Sequence, residues 1–276
     1  LSAVLRVPTS EGAVFFKAPA GLPLFVDEGR VTQGLARLFP RNVPKPLAVE
    51  RRRRWMLLDD VGPALGWEAP AEQRGMVLVT FGMMQVAAAR EVDALLAMGC
   101  IDRRPAWLAL ELRLLLADDD ALNGLEDEEI AKLRALEPLL VALCKRLGAG
   151  VIPDSIAHGD LHLGNVSRDG GAYVFFDWTD ACVTHPFLDL IDVFREEDAT
   201  TRDALRDAYL RAWADFGTHD QLLSVWRVAE PLSSLNQAVS YRYIASGVEP
   251  GTNQELEWAI PHWLRSVLAA DVESLS

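Results

Sequence analysis

The stretch Ile156–Asp177, IAHGDLHLGNVSRDGGAYVFFD, decides how this chain is read. Asp160 stands five positions before Asn165 inside HGDLHLGN, and Asp177 closes an apolar run. Asp160 is a carboxylate able to accept a proton from an attacking hydroxyl. Asn165 offers an amide oxygen and Asp177 a second carboxylate, the hard ligands that hold Mg²⁺ against nucleotide phosphates. Between them Val166-Ser167 begins one strand, and Arg168-Asp169-Gly170-Gly171 is a turn whose glycines tolerate positive φ. Ala172–Phe176 is aromatic and β-branched, a second strand. A tight hairpin joins its own ends, so Asn165 and Asp177 are predicted to lie side by side despite twelve positions of separation.

The 276 residues, 50% of them hydrophobic, suffice for one large core or two modest domains. The net charge of −13 argues against nucleic acid or an anionic membrane as the main partner, because both reward basic surfaces. Cys100, Cys144 and Cys182 are scattered, with neither a disulfide framework nor zinc spacing, which suggests a reducing, cytoplasmic setting. No apolar run approaches the roughly 20 residues of a membrane span, and no signal peptide opens the chain.

Outward from the motif, the N-terminal part reads as strands plus one helix. Val4–Val7 and Ala13–Ala18 form a hairpin, and Asp27 caps a helix that runs to Phe39. Leu47–Val49 and Arg54–Leu58 are two further strands around the basic turn Glu50–Arg53. From Gly75 onward the period is helical over 77–98, 105–116, 126–147, 201–216, 221–245 and 253–272. The boundary falls at Asp59–Pro63. It divides a β-rich part, residues 1–60, from a helical part, residues 61–276.

The spacing of Asp160 and Asn165 equals that of the protein-kinase catalytic loop, with Asp177 in place of the following metal-binding aspartate. Together with FFDW at 175–178, HPFLDL at 185–190, VFFKA at 14–18 and MLLDDVG at 56–62, the chain resembles the aminoglycoside phosphotransferase family. The resemblance implies an α+β, protein-kinase-like two-lobe fold, with a small β-rich N-lobe and a large helical C-lobe. It implies ATP (or GTP) and Mg²⁺ as cofactors and a small-molecule hydroxyl as acceptor. By the same resemblance Lys17 touches the nucleotide phosphates and Glu28 pairs with Lys17. Backbone groups of Asp59 and Val61 meet adenine, Asp160 is the base, and Asn165 and Asp177 hold the metal. The chain departs from the family in two places. The strand and nucleotide-covering loop that usually precede the lysine strand look missing, and Trp178-Thr179 follows the metal aspartate.

Two other readings start from the same residues. His158, Asp160 and His162 could hold zinc in a metal-dependent hydrolase, and a short N-terminal lobe would suit a non-catalytic nucleotide-binding module. The acidity of the chain, with Asp180, Asp192, Glu196 and Glu197 near the motif, favours a cationic acceptor. Asp189 is expected to anchor the catalytic loop. Trp213, Trp226, Trp258 and Trp263 read as mainly core, and Arg51–Arg54 as a solvated turn.

Overall fold

The computed structural model describes residues 1–10, 12–249, 256 and 258–275. It opens with β1 (Ser2–Thr9), β2 (Gly12–Pro19), α1 (Glu28–Leu38), β3 (Pro46–Glu50) and β4 (Trp55–Asp59). The strands form one antiparallel sheet in the order β1-β2-β4-β3. The Asp27 side chain caps α1 by accepting from the Arg30 N–H, satisfying one of the free donors of the first turn. Helix α1 buries Val31 and Leu35 in an apolar cluster with Phe81, Phe175 and Trp178. That cluster locks the sheet region onto the hairpin carrying the motif. Each fully buried side chain of this kind contributes about 1.5–3 kcal/mol.

The predicted helix over 77–98 is two helices, α2 (Ala71–Ala88) and α3 (Val92–Met98). Phe81 and Ala88 of the first and Leu95 of the second enter the same cluster, so the apolar period reported a shared face and not one continuous rod. Gly99, at φ +111°, ends α3 in the left-handed conformation that glycine adopts without a steric cost. Next come β5 (Ile101–Asp102), α4 (Pro105–Leu116) and α5 (Asp127–Gly148). Helix α5 is opened by a capping box between Glu126 and Glu129.

Strands β6 (Ser155–Ala157), β7 (Val166–Asp169), β8 (Ala172–Phe175) and β9 (Cys182–Thr184) surround the motif. β7 and β8 are the predicted hairpin, in the register Val166↔Phe175 to Asp169↔Ala172. β5, β9 and β6 form a three-stranded sheet that the sequence pattern did not reveal. Two- and three-residue strands are too short to carry a period.

The remainder is helical: α6 (Ile191–Phe194), α7 (Ala199–Leu210), α8 (His219–Gly247) and α9 (Ala259–Ala269). The predicted helix over 201–216 turns to 3₁₀ geometry after Leu210. The start of the one predicted over 253–272 lies outside the described residues. These helices enclose a second, larger core holding Trp213, Trp226 and Trp263, whereas Trp258 is exposed. Arg51–Arg54 is an exposed turn. Among the described residues no helix is long and apolar enough to cross a membrane, and all three cysteines are free and buried. The whole is a mixed α+β, protein-kinase-like architecture, with a small sheet region set on a large helical part.

Candidate active site

The hairpin brings Asn165 and Asp177 together as its strand pairing requires. The Phe176 N–H donates to the Asn165 carbonyl at 3.0 Å, directly beyond the last ladder pair. Asp177 itself sits at φ +66°, a conformation sparsely populated by residues with a Cβ. Its surroundings hold it there. Lys17 Nζ lies 2.6 Å from Asp177 Oδ1, and Thr179 Oγ1 lies 2.8 Å from the same oxygen.

Lys17 is 4% exposed and Glu28 fully buried, and they pair at 2.8 Å. A buried ammonium is tolerable only with such partners. Burial pushes the Lys17 pKa down, but Glu28 and Asp177 more than offset it, and the net shift is upward. Burial likewise raises Asp177, and Lys17 outweighs it, leaving this carboxyl below its usual range. Thr179 is a member of this cluster that sequence reasoning missed. Its only signal was its place two positions after Asp177.

The segment that leads into Asp160 is held by Asp189, one of whose carboxylate oxygens accepts from the His158 N–H at 2.6 Å and the other from the Gly159 N–H at 2.9 Å. This is the anchoring expected of it. Asp160, whose side chain is 61% exposed, projects from the loop. The Gly164 N–H donates to His162 Nδ1 at 3.0 Å, and His162 Nε2 lies 3.2 Å from Asn165 Nδ2 and 3.5 Å from Asp160 Oδ2. Burial raises the Asp160 pKa, but His162 outweighs it and the net shift is downward. Asp160 is therefore ionised across the physiological range.

His158 does not join His162 in a metal site. It is buried, its Nε2 lies 2.9 Å from the Phe176 carbonyl and its ring packs on Trp178. Among the described residues no group of three His, Cys, Asp or Glu side chains is placed to hold a metal. The hydrolase reading of His158, Asp160 and His162 thus lacks its ligand set.

Two oxygens are available for a magnesium ion carried with a nucleotide. Asn165 Nδ2 donates to the Asp160 carbonyl at 2.9 Å, which turns Oδ1 outward with no donor among the described residues. Lys17 and Thr179 both lie against Asp177 Oδ1 and leave Oδ2 free. An amide oxygen and a carboxylate oxygen, side by side, fit a hard cation that keeps water and phosphate for its other positions.

Two recesses meet at this point. One, of about 350 Å³, runs between Val4, Phe15 and Leu58 and reaches Phe176, Lys17 and Asp177. Its rim is Asp59–Gly62. The Val61 carbonyl accepts from Ser167 Oγ at 2.8 Å, while its N–H has no partner among the described residues. The other, about 360 Å³, contains Asp160, Asp177 and Asp180 and is walled by Gln237, Ser240 and Tyr241 of α8. A further cavity of about 420 Å³ lies across the loop, beside His162, Asp192, Glu196 and Glu197. There Trp67 stacks on His162 at 4.7 Å, and Glu196 is paired with Arg74 at 2.6 Å.

The pattern of the phosphotransferase enzyme family, APH, matches residues 3–231, and the chain belongs to that family. It is accordingly a small-molecule kinase, an enzyme that phosphorylates an alcohol group. An ethanolamine kinase of Plasmodium vivax has a similar structure, with TM-score 0.65 and 12% identity over 100% of this chain and 84% of its own. An aminoglycoside 2′-phosphotransferase solved with GDP gives TM-score 0.66 and 12% identity, covering 99% of this chain and 90% of that one. A macrolide 2′-phosphotransferase from Brachybacterium faecium gives 0.60 and 17%, covering 93% and 88%. At these identities the likeness shows the fold. Among curated protein sequences there is no significant match.

Proposed function

We propose that this protein transfers the γ-phosphoryl group of ATP, carried with Mg²⁺, to a hydroxyl of a small amine-bearing molecule. The observation that carries the reading is the convergence of Lys17, Asp160 and Asp177 where the apolar recess meets the acidic one, with Asn165 bonded to the Asp160 carbonyl. In this reading residues 1–60 form the nucleotide lobe and 61–276 the helical lobe.

Adenine occupies the apolar slot. Backbone groups of Asp59 and Val61 would meet the adenine, the Val61 N–H having no partner among the described residues. Lys17, fixed by Glu28, neutralises charge on the phosphates. Asn165 and Asp177 would hold the magnesium ion, whose charge would screen the phosphate charge that develops during transfer. The acceptor enters the acidic recess and presents its hydroxyl to Asp160. Its oxygen bonds to the γ-phosphorus and the bond to the β–γ bridging oxygen breaks. ADP leaves with that electron pair, and the hydroxyl proton passes to Asp160. Holding the two substrates in line supplies much of the rate gain.

The acidic lining of the recess supports a cationic acceptor, since carboxylates concentrate cations near them. A calorimetric and thermal-shift comparison of Mg-ATP with Mg-GTP, each alone and with hydroxylated amines, tests the reading. Binding to the native state raises its stability. Failure of both nucleotides to bind would overturn it.

A further inference from the structure

Thr179 lies two positions beyond Asp177, in the 3₁₀ turn Trp178–Asp180, and is 3% exposed. Its hydroxyl has two carboxylates within reach. Oγ1 lies 2.8 Å from Asp177 Oδ1 and 3.0 Å from Glu28 Oε2. A hydroxyl carries one proton, so it donates to only one of them at a time. Lys17 Nζ stands 3.4 Å from the same Oγ1, while it donates to Glu28 at 2.8 Å and to Asp177 at 2.6 Å. Both carboxylates are thus served by Lys17, and the hydroxyl is a spare donor as long as the ammonium stays between them.

It stops being spare when a nucleotide binds. Under the proposed function Lys17 neutralises charge on the phosphates, and an ammonium drawn toward them gives up part of its hold on Asp177. The two oxygens of a carboxylate are equivalent until a donor selects one. With no donor on Oδ1, the Asp177 side chain is free to turn, and the oxygen meant for the metal has no fixed direction. Asp177 sits at φ +66°, so its surroundings and not its local preference fix this residue.

Thr179 is placed to stay where it is. Its carbonyl accepts from the Val26 N–H at 3.0 Å, just ahead of Asp27, the cap of α1. Its side chain is β-branched and so restricted about χ1. Main chain and hydroxyl both tie it to the start of α1, through Val26 and Glu28. A buried residue fixed at two points can offer its proton to Asp177 without following Lys17.

We propose that Thr179 is a positioning residue for Asp177: its hydroxyl holds Oδ1 when Lys17 engages the phosphates, so that Oδ2 stays turned to the magnesium ion. The hydroxyl acts through Asp177 and touches neither metal nor substrate. The inference rests on the reading of Asp177 as a metal ligand and deepens it.

The test is calorimetric titration of ATP at several magnesium concentrations, with circular dichroism to establish the fold. Thr179→Val should need about three- to ten-fold more Mg²⁺ than the parent to reach half of the full gain in ATP affinity, the scale of one hydrogen bond. Its affinity for ATP without magnesium should match the parent's, whereas a merely structural loss would weaken both. Thr179→Ser restores the donor and should recover most of the magnesium response. Thr179→Ala takes the place of the valine variant if that protein does not fold. With Asp177→Ala already present, Thr179→Val should change nothing further. A parental magnesium response in folded Thr179→Val, an equal loss with and without magnesium, no recovery in Thr179→Ser, or an added effect beside Asp177→Ala would each overturn the proposal. If the parent binds no ATP, or Asp177→Ala keeps the parental response, the reading beneath the proposal falls and takes it along.

Discussion

Lys17 Nζ and Asp177 Oδ1 lie 2.6 Å apart although 160 positions separate them in the chain. The contact ties the second strand of the N-terminal sheet to the end of the hairpin, and Glu28 closes it from α1. One ammonium thus ties the N-terminal sheet to the hairpin that carries the motif.

Replacing Lys17 by Met leaves Glu28 buried without its cation. Loss of one partner of a buried pair costs about 3–5 kcal/mol. With a shift of about 2–4 °C per kcal/mol for chains of this size, Tm should fall by roughly 10 °C. The double variant Lys17→Met with Glu28→Gln should recover part of that loss while staying catalytically poor. Calorimetry of the three proteins decides it, and additive losses would mean that the pair is not coupled.

Asp160→Asn should retain Mg-ATP affinity and lower phosphoryl transfer by about 10²–10⁴-fold, the range for a positioned proton acceptor. The side chain is exposed and supports little packing, so the fold should be intact by circular dichroism. Turnover near that of the parent would rule out Asp160 as the base.

Asp177→Ala removes the carboxylate oxygen left free for the metal. Nucleotide affinity should then lose its dependence on magnesium, while Asn165→Ala, missing only a neutral oxygen, should lose less of it. Titrating ATP with and without Mg²⁺ measures both. Equal magnesium dependence in parent and variants would place the ion elsewhere.

His185 gives a pH dependence of known sign. Its Nδ1 accepts from the Phe187 N–H at 3.3 Å, and burial holds its pKa down at about 3. Below pH 6.5 the unfolded chain binds a proton at this residue that the folded chain refuses. Its contribution to stability is therefore full above pH 6.5 and is lost as pH falls toward 3, at about 1.4 kcal/mol per unit. His185→Asn keeps an acceptor for Phe187 but cannot titrate. Its stability deficit at pH 8 should shrink by about 2 kcal/mol at pH 5. Denaturation at the two pH values measures it, and a constant deficit would show that His185 is not forced neutral.

Much of the site could be read in the chain because its information is local. HGDLHLGN, the turn at Arg168–Gly171 and the run to Phe176 specify a loop and a hairpin within 22 residues, Ile156–Asp177. Strand pairing alone then puts Asn165 beside Asp177. The helical periods of 105–116, 126–147 and 221–245 likewise record which face each helix buries. Periodicity does not say where a helix stops when both halves feed one core, which is why 77–98 divides at Ala89–Glu91.

Only the tertiary structure decided the rest, because those relationships join residues with no common local pattern. No spacing in the chain says that Thr179 lies against both Glu28 and Asp177. None says that Asp189 turns its two oxygens on the His158 and Gly159 amides, or that Trp67 lies flat on His162. Nothing in the chain's spacing sets the charge states of Asp160, Asp177 and Asp180. Burial and neighbours separate them: Lys17 lowers Asp177, His162 lowers Asp160, and Asp180, desolvated and unpaired, is raised. The sequence determined which groups exist and which short-range geometry they adopt. Their charge states and partners follow from desolvation and long-range packing, which the folded chain alone supplies.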